Sequence, residues 1–279
     1  MVTQATSTAL DATNIPISCA LAGLYFVTTP PKSGNAQFGE PMLKTPLVLC
    51  AMAAAAVSAQ AQSVNAVQIG GSAAFKSLVE DTGAMASYRA QLPSEPQGLT
   101  GFDLGFSLTQ AGLQQTDRYA LGTQGLRSTM RWASLHAHKG LPLGWDLGAF
   151  ISQGMNSQAE PNGIDQRGME LRYALLEGGT VTPALALRAS ATELSGIQGY
   201  RLKTQGMDLS VSKGFALFTP YAGFGVVRAK GQAGELSESV TLNKTFVGIG
   251  TNLLLINLNL EYDKTGDVPS YSLKAGWRF

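Results

Sequence analysis

The 279-residue sequence predicts an all-β fold: a transmembrane antiparallel β-barrel of about ten strands (eight to twelve) behind a cleaved amino-terminal signal peptide. Three observations carry this expectation. Apolar and polar residues alternate with period two over segment after segment, as in a strand with one wall against an apolar phase. Charged residues make up only 14% of the chain, glycine occurs 32 times and mean hydropathy is +0.06. Yet no run of 18 apolar residues follows the leader, so the low charge is not that of a membrane helix.

The leader begins at an internal methionine. In Met42-Leu-Lys-Thr-Pro-Leu-Val-Leu-Cys-Ala-Met-Ala-Ala-Ala-Ala-Val-Ser-Ala-Gln-Ala61, Lys44 supplies a basic start, 46 to 57 an apolar stretch, and Ala59-Gln60-Ala61 a small-x-small cut site. The apolar stretch is too short to span a bilayer as a helix, which takes roughly 20 residues. Cys50 lies within it after the bulky Leu49, which argues against a lipoprotein cysteine. Residues 1–41 have no basic residue before their apolar run, Ile15 to Thr28, and read as a start assigned too early or as a separate leader. Both cysteines, Cys19 and Cys50, precede the expected cut, so the mature chain has neither disulfides nor thiolate chemistry. The net charge of +1 is unchanged by processing, which removes Lys32, Lys44, Asp11 and Glu40, and offers no footprint for nucleic acid.

Residues 62–98 read as a plug in the lumen or as two further strands. Thr82 to Arg89 reads as a possible strand, and Pro93 to Gly98 as a turn. From 99 to 279 the barrel strands follow in order. Phe102, Leu104, Phe106 and Leu108 alternate with polar residues and glycine. Arg127 to Ala137 and Trp145 to Gln153 flank a turn at 139–144. Met169, Leu171, Tyr173 and Leu175 make one apolar wall, Leu185, Leu187, Ala189 and Ala191 the next, and Met207, Leu209 and Val211 a third. Pro220 to Lys230 and Leu242 to Leu253 are strands whose faces are blurred by Gly223, Gly225, Gly248 and Gly250. Ile256, Leu258, Leu260 and Tyr262 oppose Asn257, Asn259, Glu261 and Asp263. The last strand, Ser270 to Phe279, sets Tyr271, Leu273, Ala275, Trp277 and Phe279 against Ser270, Ser272, Lys274, Gly276 and Arg278.

Connection lengths agree with ten strands if Phe279 ends in the periplasm. The segments 263–270, 229–240, 194–201, 156–167 and 114–124 are then outer loops, and 253–256, 214–219, 177–183 and 139–144 inner turns.

The terminal Trp277-Arg-Phe279 resembles the last strand of bacterial outer-membrane β-barrels. The phrases Gly101-Phe-Asp-Leu-Gly105, Ser212-Lys-Gly214 and Thr219-Pro-Tyr-Ala-Gly-Phe-Gly225 are similar to a family of proteobacterial outer-membrane barrels with no assigned activity. The resemblance spans the signal peptide and residues 99–279. It implies a bacterial outer-membrane location, outer-membrane lipid and lipopolysaccharide as surroundings, and assembly by the barrel-assembly machinery with periplasmic chaperones. It also implies that Tyr271, Trp277 and Phe279 act as the assembly signal. It implies no mechanism, no cofactor and no oligomeric state.

For catalysis the only histidines, His136 and His138, would share a strand face near the inner turn, without an Asp partner to orient an imidazole as a general base. Ser134-x-His136 is a weak hydrolase signal, and no third metal ligand accompanies the two histidines. No catalytic, cofactor or metal site is therefore expected, and the chain is read as not an enzyme. By alternation Asp103, Arg127, Arg131, Asp146, Glu170, Arg172, Arg188, Asp208, Glu261, Lys274 and Arg278 line the lumen. Two readings follow: a closed salt-bridge network in a structural barrel, or a narrow path for ions and small polar solutes. The alternative function is binding or adhesion through the outer loops, whose candidate anchors are Arg118, Tyr119, Arg167 and Tyr200. Charge placed at Leu258, on the lipid wall, should cost more than charge at Asn257, on the lumen wall.

Overall fold

The computed structural model describes residues 71–119, 128–155, 161–197, 199–253 and 256–279. The leader, residues 62–70 and Arg127 lie outside them. The chain is an all-β closed barrel of ten antiparallel strands, each paired with its sequence neighbours, with the last paired to the first. The strands are β1 Phe102–Gly112, β2 Thr129–Gly140, β3 Trp145–Met155, β4 Pro161–Glu177 and β5 Ala184–Ser195. They continue with β6 Tyr200–Ser212, β7 Phe218–Ala233, β8 Leu236–Leu253, β9 Ile256–Thr265 and β10 Val268–Arg278. At the seam Asp103 lies opposite Arg278 and Leu104 opposite Trp277. Phe102 and Phe279 exchange backbone hydrogen bonds in both directions, at 3.1 and 2.9 Å, so the terminal residue itself helps close the barrel. The rim carrying Phe279 is called here the near rim, and the opposite one the far rim.

Along the near half the sequence pattern is that of membrane strands. Leu104, Phe106 and Leu108 of β1, Leu147 and Ile151 of β3, Met169 and Leu171 of β4, and Leu258 and Leu260 of β9 are exposed on the outside. Leu273 and Trp277 of β10 extend the same belt, and Tyr262 packs on Tyr271 with ring centroids 5.1 Å apart. In water this much contiguous apolar surface would drive association; against lipid it is the stable arrangement.

Towards the far rim the polarity of both faces reverses. Arg167, Lys203, Arg228 and Lys264 are exposed outside, with Glu193 half-buried among them, while Ile164, Leu194, Leu202, Val227, Ala229 and Val240 are buried inside. This reversal corrects the expected loop lengths. Residues 229–240 are mostly strand, since β7 and β8 run on to a turn at Gly234 and Glu235, and 263–270 narrows likewise to a turn at Gly266 and Asp267. Strand pairing continues beyond the apolar belt, but with polar residues outward, so these stretches look loop-like when apolar side chains are expected there.

Among the described residues two α-helices accompany the wall. Helix α1, Ser72–Met85, occupies the far half of the lumen, and the four-residue helix α2, Thr116–Tyr119, follows β1. Thr82 to Arg89 is therefore no strand. Phe75, Leu78, Val79, Thr82 and Met85 recur at helical spacing, and all are buried. Even Ser77, Asp81, Gly83 and Ala84 are buried, as befits a helix with wall on every side. Gly83 lets it approach β7: a Cβ there would stand 2.4 Å from that of Ala229. After Met85 the chain runs extended through the near half to Gln97 and enters β1 at the near rim.

Candidate functional site

Among the described residues the near half of the lumen holds a cluster of buried charged side chains, and the structure places most of the predicted residues there. Asp103, Asp146 and Lys274 are 0% exposed, and Glu170, Arg172, Arg188, Asp208 and Glu261 are buried. Arg278 is half-buried on the inner face at the near rim. Arg131 is a correction. It lies exposed on the outer face, its Nε donating to Gln110 Oε1 at 3.2 Å, while Trp132 turns inward. Polar-in alternation fails in the far half of β2, where Met130 and Trp132 join the apolar core around α1.

The charges form paired groups. Lys274 donates to Asp103, whose other oxygen accepts from Asn257 Nδ2 at 2.6 Å. Gly105 makes this pair possible, since a Cβ there would meet Lys274 Cε at 2.3 Å. Asn257 is thus a packed member of the network, and an arginine there would not be cheap. Arg172 holds Asp146 Oδ2 through Nε and Nη2 at 3.1 and 2.8 Å. Arg188 bridges Asp208 at 3.1 Å and Glu170 at 3.4 Å, with Lys244 a further 3.7 Å from Asp208. Tyr221 donates to Glu261 at 3.0 Å. Buried ions persist only when paired and hydrogen-bonded in this way.

Residues 86–97 complete the network, and the sequence offers little sign of it. Their backbone crosses the near half without secondary structure, so its polar groups must find partners in the wall. Ala86 O accepts from Gln166 Nε2 and Thr192 Oγ1, both at 2.7 Å, Tyr88 O from Lys244, and Pro93 O from Arg172 Nη1 at 2.7 Å. Ser94 donates through N to Ser212 Oγ at 3.0 Å and through Oγ to Ser210 at 2.9 Å. Arg89 ties helix to wall. Its guanidinium donates to Ala84 O and Met85 O at the end of α1, to Asp263, and to Ser270 Oγ. A cation on these terminal carbonyls also faces the negative end of the helix dipole.

At the far end Asp81 Oδ2 accepts from the backbone N–H groups of Gln114 and Gln115, at 3.1 and 2.8 Å, and from Tyr119 OH at 2.7 Å. Burial pushes the Asp81 carboxyl up from its ordinary value, and these donors pull it partly back. Thr82 shares a hydrogen bond with Tyr200 OH at 2.7 Å. Tyr119 and Tyr200 are thus buried partners of the helix, whereas Arg118 and Arg167 are exposed.

The histidines differ from expectation in their partners. Cross-strand register brings His138 opposite Asp103, with Nδ1 3.4 Å from its carboxylate, and Nε2 lies 3.6 Å from Glu170. His136 Nε2 is 2.9 Å from Ser107 Oγ, not Ser134, and its Nδ1 has no hydrogen-bond partner. Ser107 is 0% exposed, so no substrate carbonyl can reach its hydroxyl. A lumen cavity beside these residues, lined by Arg89, Gln91, Trp132, Phe150 and others, has a volume of about 20 Å³, room for about one water.

No protein-family model matches the sequence, and no curated protein matches it. Among solved structures it is similar to OmpT, an outer membrane protein of Vibrio cholerae, at 10% identity and TM-score 0.30 over 55% of each chain. It is also similar to Ail, the attachment invasion locus protein of Yersinia pestis, at 16% identity and TM-score 0.23 over 64% of this chain and 97% of that one. Neisserial surface protein A gives 12% identity and TM-score 0.27 over 64% and 94%. The match thus spans about half the length of OmpT. The chain is an outer-membrane-type β-barrel, an assignment that stands on its own belt and topology and not on these distant likenesses.

Proposed function

We propose that this barrel is a closed, non-conducting structural element of the outer membrane. The observation that carries the reading is burial: Asp103, Asp146 and Lys274, which a water path would wet, are inaccessible to water. A channel draws selectivity from charges its solutes can meet. Here the charges are engaged with one another and with residues 86–97. The inaccessibility of Ser107 and His136 favours a packing role over a catalytic one. The surroundings are outer-membrane lipid and lipopolysaccharide, and biogenesis runs through the barrel-assembly machinery and periplasmic chaperones, with Tyr271, Trp277 and Phe279 on the lipid-facing wall of the closing strand. Planar-bilayer recording of the refolded processed chain tests the reading. Silence from a properly folded barrel is expected; discrete, reproducible conductance steps would overturn it.

A second reading, binding through the outer end, is favoured by one observation. The β7–β8 hairpin continues beyond the belt with Arg228, Lys230, Gln232, Ser237 and Ser239 exposed, a rigid polar surface standing in water.

A further inference from the structure

We propose that this chain threads its own barrel, so that the start of α1, at Ser72, opens at the cell surface and the helix is held there in the lumen. The inference rests on the reading that Phe279 faces the periplasm; everything else follows from the direction of the chain.

Direction is set at three levels. Gln97 N donates to Asp146 Oδ1 at 3.1 Å beside the near rim, and Arg89 engages Asp263 in the middle of the lumen. Ser72, the first residue of α1, donates to Glu238 at 2.6 Å, close to the far turn between β7 and β8. Read backward, the chain therefore climbs from near rim to far rim. Ser72 and Ala73 are already exposed there, as is Lys76 one turn in.

The way back to the near rim is shut at the start of α1. The lumen beneath is filled by the chain's own residues 86–97 and by buried side chains such as Tyr88 and Lys274. Outside, the barrel is closed and offers no strand edge with which a returning segment could pair. Crossing the lipid belt, about 25 Å tall, as an unpaired chain would strand its amide groups in hydrocarbon. The start of α1 therefore opens on the far side alone. The barrel then acts as an anchor whose display end is the start of α1.

The mature chain is free of cysteine, which makes the test direct. Intact cells producing single-cysteine variants of the full chain are treated with a membrane-impermeant maleimide, and the mature band is read. Ser72→Cys, Ala73→Cys and Lys76→Cys are the tests. Glu235→Cys marks the far turn, and Val181→Cys, at an exposed near-rim turn, marks the other side. Labelling of the three helix positions together with Glu235→Cys, with Val181→Cys protected until cells are lysed, is the expected result. Labelled Glu235→Cys with all three helix positions protected would overturn the threading. Labelled Val181→Cys with Glu235→Cys and the helix positions protected would overturn the orientation, and with it the surface placement, while leaving the direction of the chain in the lumen intact.

Discussion

The two halves of this barrel solve the same folding problem with opposite surfaces. The near half wraps a polar, ion-paired core in an apolar coat; the far half wraps an apolar core in a polar coat. The same strands pass through both. Along β6, Leu202 is buried inside and Lys203 exposed outside, whereas further on Asp208 is buried inside and Met207 exposed outside. The alternation keeps its period and reverses its sign, because the solvent outside changes from water to lipid. Each core in turn suits its filling. The far core receives helix α1, which satisfies its own backbone and can be met by apolar side chains. The near core receives an extended segment, whose bare carbonyls need lysine, arginine and hydroxyl donors from the wall.

The comparison is tested most severely by breaking one buried pair. Asp103→Ala leaves the Lys274 ammonium in the near core without its carboxylate and should cost about 3–5 kcal/mol, measured as lowered resistance of the folded barrel to denaturant. Adding Lys274→Met should recover much of the loss, because no charge then remains uncompensated. In the far half Glu193→Ala, which abandons Arg167 and Lys203 only to water, should leave the unfolding curve unmoved. A comparable loss at both sites would erase the distinction between the halves.

Truncation of apolar side chains should give the converse pattern. Leu202→Ala opens a hole in the far core and should cost about 2–5 kcal/mol. Leu273→Ala, on the lipid face of the near half, removes a side chain that lipid can replace and should cost clearly less in the same denaturant series. The third contrast keeps to the outer face. Leu258→Arg, in the belt, should cost about 2–4 kcal/mol near the bilayer midplane, whereas Thr241→Arg, exposed beyond it, should be close to neutral. Equal effects would mean that the belt ends elsewhere.

Legibility in the sequence followed this division. Where lipid lies outside and ions lie inside, polar-in alternation located Asp103, Asp146, Glu170, Arg172, Arg188, Asp208, Glu261 and Lys274 on the inner wall. Where water lies outside the same rule misplaced Arg131 and turned the ends of β7, β8 and β9 into loops. The partners were harder to read than the faces. His138 meets Asp103 only because β1 and β2 pair in one register, and register is a relation between strands that neither strand's pattern states. The helical spacing of Phe75, Leu78, Val79, Thr82 and Met85 was the available signal for α1.

By itself, the sequence determined the class and the membrane wall and pointed to about ten strands, because each strand must match its own surroundings residue by residue, and that match is written in a period of two. Only the tertiary structure decided which charges neutralise which, that residues 72–97 fill the lumen, and that the helix begins at the far rim. These depend on closure: once β1 meets β10, what lies inside has no solvent of its own. Arg89, Asp103 and Lys274 then answer to groups distant in sequence, in a space that exists only when the barrel is shut.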